Sequence, residues 1–403
     1  MYEPGIEVLF SLLSPKESLY GGPMQFTENS RNQGLVNQYR NVVEIFKTEG
    51  VKVHNLKDLV LQNPKSIEAV KDIIKKSLIK SYSRGRMYSD TDWNSIDTHS
   101  SLISEGLPPD LIWTVLTTNP ILSDTLRNSY YEDIDPRHRA PVDEVQPLGN
   151  LFYMRDQQFV TGKGLVIGKM KFKQRESETS ITRMAFESLN IKPLMNLQTH
   201  TDPNVTFEGG DFMPAGDFVL IGHGDRTSQK GYSRTIEADV FGVDEVAVIF
   251  QKHGQDGMHL DTYFNIVDEG LCTVEESKLE YKVHVFKTNK GFRQDVENPR
   301  LYETERKQRR NVVETTLGDY LKSEGYSFID ITSAEQAIHA SNFLTIGRSK
   351  IVAPDFTKML PNQPDGLSKR LEKEGVDVIP VDVSELVQGY GSVHSLTCVL
   401  RRD

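Results

Sequence analysis

One construction recurs five times along this chain and limits what the chain can fold into. An amphipathic stretch ends at Gly or Asn, and a short β-rich run follows at once. Leu35, Tyr39, Val42, Val43 and Phe46 fall at helical spacing, Gly50 ends the helix, and Val51-Lys52-Val53 alternates. A glycine just past a helix lets the chain turn through a left-handed conformation. The same unit stands at Asn190 (then Ile191), Gly242 (then Val243 to Ile249), Gly325 (then Tyr326 to Ile331) and Gly375 (then Val376 to Val381). Three junctions read almost alike: KTEGVKV, KSEGYSF and EKEGVDV. Repetition of one supersecondary unit predicts a repeat architecture rather than two unrelated domains. Helices alternating with strands fit an α/β fold with a doubly wound parallel sheet. Similar units fit a ring with five-fold pseudosymmetry equally well, and periodicity leaves that choice open.

The spacing of the units is uneven, because residues 57–141 separate the first from the second. That segment reads as helix-rich. Ile67, Val70, Ile73, Ile74 and Leu78 mark one helix, and Leu111, Ile112, Val115 and Leu116 mark another after Pro108-Pro109. With apolar faces of its own, it reads as an inserted helical subdomain and not a linker. The expected organisation is an α/β domain from residues 1–56 and 142–403, with the helical insert at 57–141.

Composition narrows the partners. Apolar residues make up 37% and charged residues 26% of the chain, the balance of a packed protein rather than a disordered one. A net charge of −10 argues against nucleic acid or an anionic membrane and agrees with a cationic small substrate. Two cysteines, Cys272 and Cys398, cannot build a disulfide framework and fit a reducing compartment. No run approaches the roughly 18 apolar residues of a membrane span. The opening Met1-Tyr2-Glu3-Pro4-Gly5 has neither the basic nor the long apolar region of a signal peptide, so a cytoplasmic location is expected.

Four motifs carry chemistry. Asn150-Leu151-Phe152-Tyr153-Met154-Arg155-Asp156 follows a Pro147-Leu148-Gly149 turn and leads into the strand-like Phe159-Val160. Taken alone, its arginine and carboxylate read as a surface pair as readily as a site. In Phe207-Glu208-Gly209-Gly210-Asp211-Phe212, two glycines allow a tight path that brings both carboxylates to one locus, or simply a turn. In Met258-His259-Leu260-Asp261-Thr262, an extended backbone projects His259 and Asp261 into one space. A histidine with a carboxylate on its face is a natural acid/base pair. Metal binding by this pair lacks further ligands at a recognisable spacing. The tail Gly389-Tyr390-Gly391-Ser392-Val393-His394-Ser395 combines small residues with a candidate nucleophile, and Cys398-Val399-Leu400 suggests a final packed strand.

In this order the motifs resemble the arginine deiminases, within the wider amidinotransferase-related superfamily. Glu3-Pro4-Gly5 resembles the family's first-strand ending, which suggests that the chain begins slightly late. NLFYMRD, KQRE with Arg175, FEGGDF, IGHGDRT with Arg226, MHLDT and the closing HSLTCVLRRD resemble its later signatures. The resemblance implies a pentein-like, five-bladed α/β propeller with an inserted helical subdomain, and commonly a homo-oligomer. It implies that Asp156 and Asp261 clamp a guanidinium by charge-assisted hydrogen bonds. His259 becomes the general acid/base, with Glu208 its charged neighbour. Asn150, Tyr153, Arg175 and Arg226 become substrate-binding residues, with Asn150 and the two arginines at the α-carboxylate and amino end. The implied reaction takes L-arginine to L-citrulline and ammonia through a covalent amidino intermediate, with no metal or cofactor.

Two positions depart from the family pattern. The family places cysteine directly after the tail histidine, and here Ser395 stands there. A serine hydroxyl is a poor nucleophile without a strong adjacent base, whereas a thiolate is accessible near neutral pH. A cysteine-to-serine change that leaves binding intact accounts for Ser395, and a homologue that only binds arginine is the rival reading. Cys398, three residues along a strand, is expected to face the opposite way. The second departure is Tyr390, which stands where some deiminases carry an arginine. An amidinotransferase or an arginine dihydrolase of the same superfamily fits the motifs as well.

Overall fold

The computed structural model describes residues 1–13, 32–68, 70–72, 75, 90–118, 120–121, 144–145, 147–254, 257–287, 313–363 and 366–401. The helix-rich segment contains helices at Leu56–Gln62, Asp90–Gly106 and Pro109–Thr118, and a short antiparallel ladder of β1 (Pro120–Ile121) and β2 (Glu144–Val145). Asn55 caps the first of these helices by accepting from the Asp58 N–H. Val60, Val70, Ile112 and Trp113 are buried in the same apolar cluster as Leu151, Phe152 and Met154. Leu111, expected on the apolar face of its helix, points to solvent instead, and Trp113 fills the face. Ile73, Ile74 and Leu78 lie outside the described residues.

From Gln158 onward one strand module repeats. In the first, β3 (Gln158–Val160) runs antiparallel to β4 (Leu165–Ile167), and after a helix over Glu176–Ser188, β5 (Met195–Asn196) returns parallel to β4. The second consists of β6 (Phe212–Pro214), β7 (Phe218–His223), a helix over Gln229–Glu237 and β8 (Glu245–Phe250), with the same pairings. In the third, β9 (Phe264–Asp268) pairs antiparallel with β10 (Leu271–Glu275). Two strands, β11 (Lys282–Lys287) and β12 (Val313–Thr316), then extend the second sheet. A helix over Leu317–Ser323 follows, and β13 (Ser327–Ile331) lies parallel to β10. The fourth has β14 (Leu344–Gly347), β15 (Lys350–Pro354), a helix over Leu367–Lys373 and β16 (Asp377–Val381). The chain is therefore an α/β protein built from separate small sheets, and no doubly wound single sheet forms among the described residues.

The junctions are left-handed as the spacing predicts. Gly50 (φ 80°), Asn190 (57°), Gly242 (74°), Gly325 (81°) and Gly375 (76°) all have positive φ. At four of them the following residue donates back to the carbonyl five positions earlier: Val51 to Phe46, Ile191 to Phe186, Tyr326 to Leu321 and Val376 to Leu371. That bond satisfies a carbonyl the helix end leaves open. The Gly242 junction differs. Its helix already ends at Glu237, and Asp239 (φ 51°) makes the left-handed turn, with Val240 donating to Thr235. After Gly50 the run Val51-Lys52-Val53 pairs in no ladder among the described residues. The expected final strand at Cys398–Leu400 is likewise not formed. Val393–Leu396 makes a turn, and the residues after it run without a ladder.

A candidate acid–base site

Two buried phenylalanines fix the turn that carries Glu208. Phe207 and Phe212 pack on Phe159 with ring centroids 4.5 and 4.7 Å away, so both ends of FEGGDF are anchored in one core. Between them Gly209–Asp211 forms a short 3-10 turn. Both glycines are required by close approach. A Cβ at Gly209 would overlap the Arg155 and Gln158 carbonyls, and one at Gly210 would stand 2.6 Å from His259 Nδ1. The Gly209 N–H donates to the Asp156 carbonyl at 2.9 Å, which ties this turn to the NLFYMRD segment.

His259 sits at the centre. Its Nε2 is 2.9 Å from Glu208 Oε2, and its Nδ1 is 3.6 Å from Asp156 Oδ1. Glu208 is fully buried and also accepts from the Lys171 N–H (2.8 Å) and Arg226 Nη1 (3.1 Å). Asp211 Oδ1 accepts the Leu260 N–H at 3.0 Å and so holds the residue between His259 and Asp261. Asp156 Oδ2 accepts from Arg175 Nη1 at 2.8 Å. Arg175 is itself gripped by Glu178 one helical turn on, which also accepts from Gln157. Arg226 lies over the Phe172 ring, 4.5 Å from its centroid.

Charge in this cluster is set by its neighbours rather than by burial alone. Burial works against ionised Glu208, but Arg226, His259 and Arg175 outweigh it and hold the carboxyl well below the usual range. Burial likewise pulls His259 down, but Asp156, Glu208 and Asp211 outweigh it and push the ring up to about 9. Burial dominates at Asp211, whose carboxyl is pushed up to about 7. At neutral pH His259 is therefore an imidazolium between carboxylates, a proton donor in a nearly dry site. One ligand atom each from Asp156, Glu208 and His259 lies within 4.8 Å of the others, as a metal site requires. The guanidinium groups of Arg175 and Arg226 already neutralise two of those carboxylates, so the set suits proton transfer better than a divalent cation.

The tail completes the site. The backbone around His259 and Asp261 is not a plain strand. His259 is extended (φ −135°, ψ 159°), and Leu260–Thr262 is a 3-10 turn. The two side chains consequently take different partners, and Asp261 Oδ2 meets His394 Nδ1 at 2.8 Å. Burial opposes Asp261's charge, yet the His394 bond keeps its pKa below the ordinary carboxylate value. Ser395, next in sequence, is 6% exposed. Its carbonyl accepts the Arg155 N–H at 3.1 Å, and Arg155 Nε and Nη2 donate to the His394 carbonyl and Thr397 Oγ1. Arg155 and Asp156 are thus neighbours in a buried site, not a surface pair. A Cβ at Gly391 would stand 2.7 Å from the Tyr153 ring and 3.0 Å from Ser395 Oγ, so Tyr153 packs over the same spot. The Tyr153 hydroxyl donates to the Leu386 carbonyl.

Of the residues singled out in the sequence, Asp156, Glu208, His259, Arg175 and Arg226 form one bonded cluster. Asp261 and Ser395 join it through the His259 turn and the Arg155 backbone. Asn150 is buried, and its carboxamide has no hydrogen-bond partner among the described residues. Cys398 packs with Leu165, Ile167 and Phe186, where burial raises its thiol pKa. Sequence reasoning missed Glu178, His394 and Asn342 as parts of the site. His394 stood beside the nucleophile position and could have been found there, whereas Asn342 lies in no motif.

A family model for arginine deiminase matches residues 35–402. The arginine deiminase of Halobacterium salinarum is 29% identical over 64% of this chain, which spans 65% of that protein's length. The arginine deiminase of Oenococcus oeni is 25% identical over the whole chain and 94% of its own length. Among solved structures, Pseudomonas aeruginosa DDAH complexed with citrulline is 17% identical with a TM-score of 0.42, covering 62% of this chain and 76% of that one. The N-terminal domain of ArgZ, an arginine dihydrolase of cyanobacteria, has a TM-score of 0.43 at 16% identity, covering 62% of this chain and 74% of that one. With the model matched from residue 35 to residue 402, the chain belongs to the arginine deiminase family.

Proposed function

We propose that the site binds the guanidinium of L-arginine between Asp156 and Asp261, and that with a cysteine at position 395 it hydrolyses L-arginine to L-citrulline and ammonia. The observation that carries this reading is the seating of the His259 ring between buried carboxylates, 2.9 Å from Glu208 Oε2 and 3.6 Å from Asp156 Oδ1, which favours its protonated form. In the first half-reaction a thiolate attacks the guanidinium carbon, the C–S bond forms, and the charge of the guanidinium is quenched in a tetrahedral adduct. His259 gives its proton to the departing nitrogen, and ammonia leaves. In the second, neutral His259 takes a proton from water, the hydroxide attacks the same carbon, and the C–S bond breaks to release citrulline.

The surroundings of Ser395 support a cationic rather than a carbonyl substrate. Its N–H donates to Asn342 Oδ1 at 3.0 Å, so that donor does not serve an oxyanion. Attack on a guanidinium develops no oxyanion, and buried carboxylates favour its positive charge. Ser395 itself lacks the acidity to attack, so the chain binds arginine without turning it over. A homologue that only binds arginine is the second reading, and Ser395 is what favours it. The four strand modules and the Gly50 junction support a five-bladed propeller, with residues 57–141 as its helical insert.

Titration calorimetry tests the binding half. L-arginine is expected to bind the chain as it stands, and Asp156→Asn or Asp261→Asn to weaken it at least tenfold. Equal affinity in all three chains would overturn the clamp.

A further inference from the structure

We infer that Asn342 is a positioning residue that sets the nucleophile turn against the Asp261 turn. This inference rests on the proposed chemistry at position 395. Asn342 is fully buried in the loop before β14, outside every motif that marks the site. Its Oδ1 accepts two backbone N–H groups of the tail, from Ser392 at 2.8 Å and from Ser395 at 3.0 Å. Its Nδ2 donates to the Asp261 carbonyl at 3.2 Å. Its own carbonyl accepts the His394 N–H at 2.9 Å. One side chain thus links the segment carrying Ser395 to the turn carrying Asp261, across 81 residues of sequence on one side and 53 on the other.

The chemistry needs an amide. The tail presents N–H donors, and the Asp261 turn presents a carbonyl, so the linker must accept at one end and donate at the other. Asp would keep the acceptor and lose the donor. Leu would strip partners from two buried N–H groups. The loop is itself tied down on both sides: Asn265 Nδ2 donates to the Ser341 and Phe343 carbonyls flanking Asn342. Ser341 Oγ donates to the same Asp261 carbonyl at 3.2 Å. Two asparagines, one on β9 and one in the loop, therefore relay the sheet's position to the site. Beyond orientation, Asn342 occupies the Ser395 N–H, which withholds that donor from an oxyanion.

The test is made on the full chain carrying Ser395→Cys, with Asn342→Leu and Asn342→Asp added singly. Turnover of L-arginine is measured as kcat and KM. The thiol at position 395 is followed by its rate of alkylation with iodoacetamide against pH, with the unaltered chain as the background of its other two cysteines. A small misplacement of reacting groups costs on the order of 100-fold in rate. Asn342→Leu is expected to lower kcat by about that factor with KM changed less than threefold, and to shift the pH profile of alkylation. Asn342→Asp is expected to lie between. Unchanged kcat and an unchanged alkylation profile in a chain that has only lost thermal stability would overturn the positioning role. If Ser395→Cys turns over no arginine at all, the proposed activity fails, and the alkylation profile still decides the role of Asn342.

Discussion

His394 Nδ1 lies 2.8 Å from Asp261 Oδ2, and the two side chains are 4% and 1% exposed. This pair joins the C-terminal turn to the turn that follows His259. Removing one partner of a buried pair leaves the other charge without compensation, at a cost of about 3–5 kcal/mol. His394→Ala is expected to lower the unfolding free energy extrapolated from urea by that amount, shifting the midpoint down accordingly, and His394→Asn, which keeps a donor, by less. An unchanged midpoint for His394→Ala would show that the pair carries no net stability.

Glu208 is one of the groups that hold His259 protonated, and this fixes the alkaline limb of any pH–rate profile. On the proposed mechanism activity needs the imidazolium, so it is expected below about 9 and expected to be lost as pH rises through that value. In the chain restored with Ser395→Cys, Glu208→Gln removes one supporting charge, and the limb is expected to move to lower pH. The profile of kcat/KM checks this. A limb that stays in place would assign it to another group.

Asp211 acts on stability in the opposite sense from an ion-paired carboxylate. Burial raises its folded pKa to about 7, against an ordinary value of 3.8. Whatever stability protonated Asp211 gives is therefore complete below about 4, and it is lost as pH rises toward 7. Asp211→Asn keeps an acceptor for the Leu260 N–H and removes the titration. It is expected to match the unaltered chain at low pH and to melt at a higher temperature at pH 8. A lower melting temperature at pH 8 would mean that the carboxylate's charge is needed.

Much of the fold could be read from local rules. The left-handed junction residues announced themselves, because a helix end needs a residue tolerant of positive φ. Asp239 was hidden behind Gly242, since aspartate enters that region less often and the spacing pointed past it. The absence of a ladder at Cys398–Leu400 could not be read, because pairing depends on a partner distant in sequence. Within the site, Glu208 and His259 were legible, since glycine pairs and alternating polar residues show locally. The partner of each was less so. His259 and Asp261 looked like one dyad, yet a 3-10 turn sends them to Glu208 and His394 respectively. Asn342 left no signal, because its role lies in bonds to residues 50 and 81 positions away.

Gly210 tests how tightly the His259 ring is seated. A methyl group there would stand 2.6 Å from Nδ1 and 3.0 Å from Asp156 Oδ1. Overpacking of this kind costs about 1–3 kcal/mol. In the Ser395→Cys chain, Gly210→Ala is expected to lower the melting temperature and to cut turnover on the order of 100-fold by displacing the ring. Full turnover would place His259 outside the reacting geometry.

The most direct measurement is Ser395→Cys incubated with L-arginine beside the unaltered chain, with citrulline, ornithine and ammonia quantified together. Citrulline and ammonia in equal amounts from the cysteine-bearing chain alone is the expected result. Ornithine in place of citrulline would contradict a deiminase, and silence from both chains with arginine still bound would leave a protein that binds arginine without acting on it.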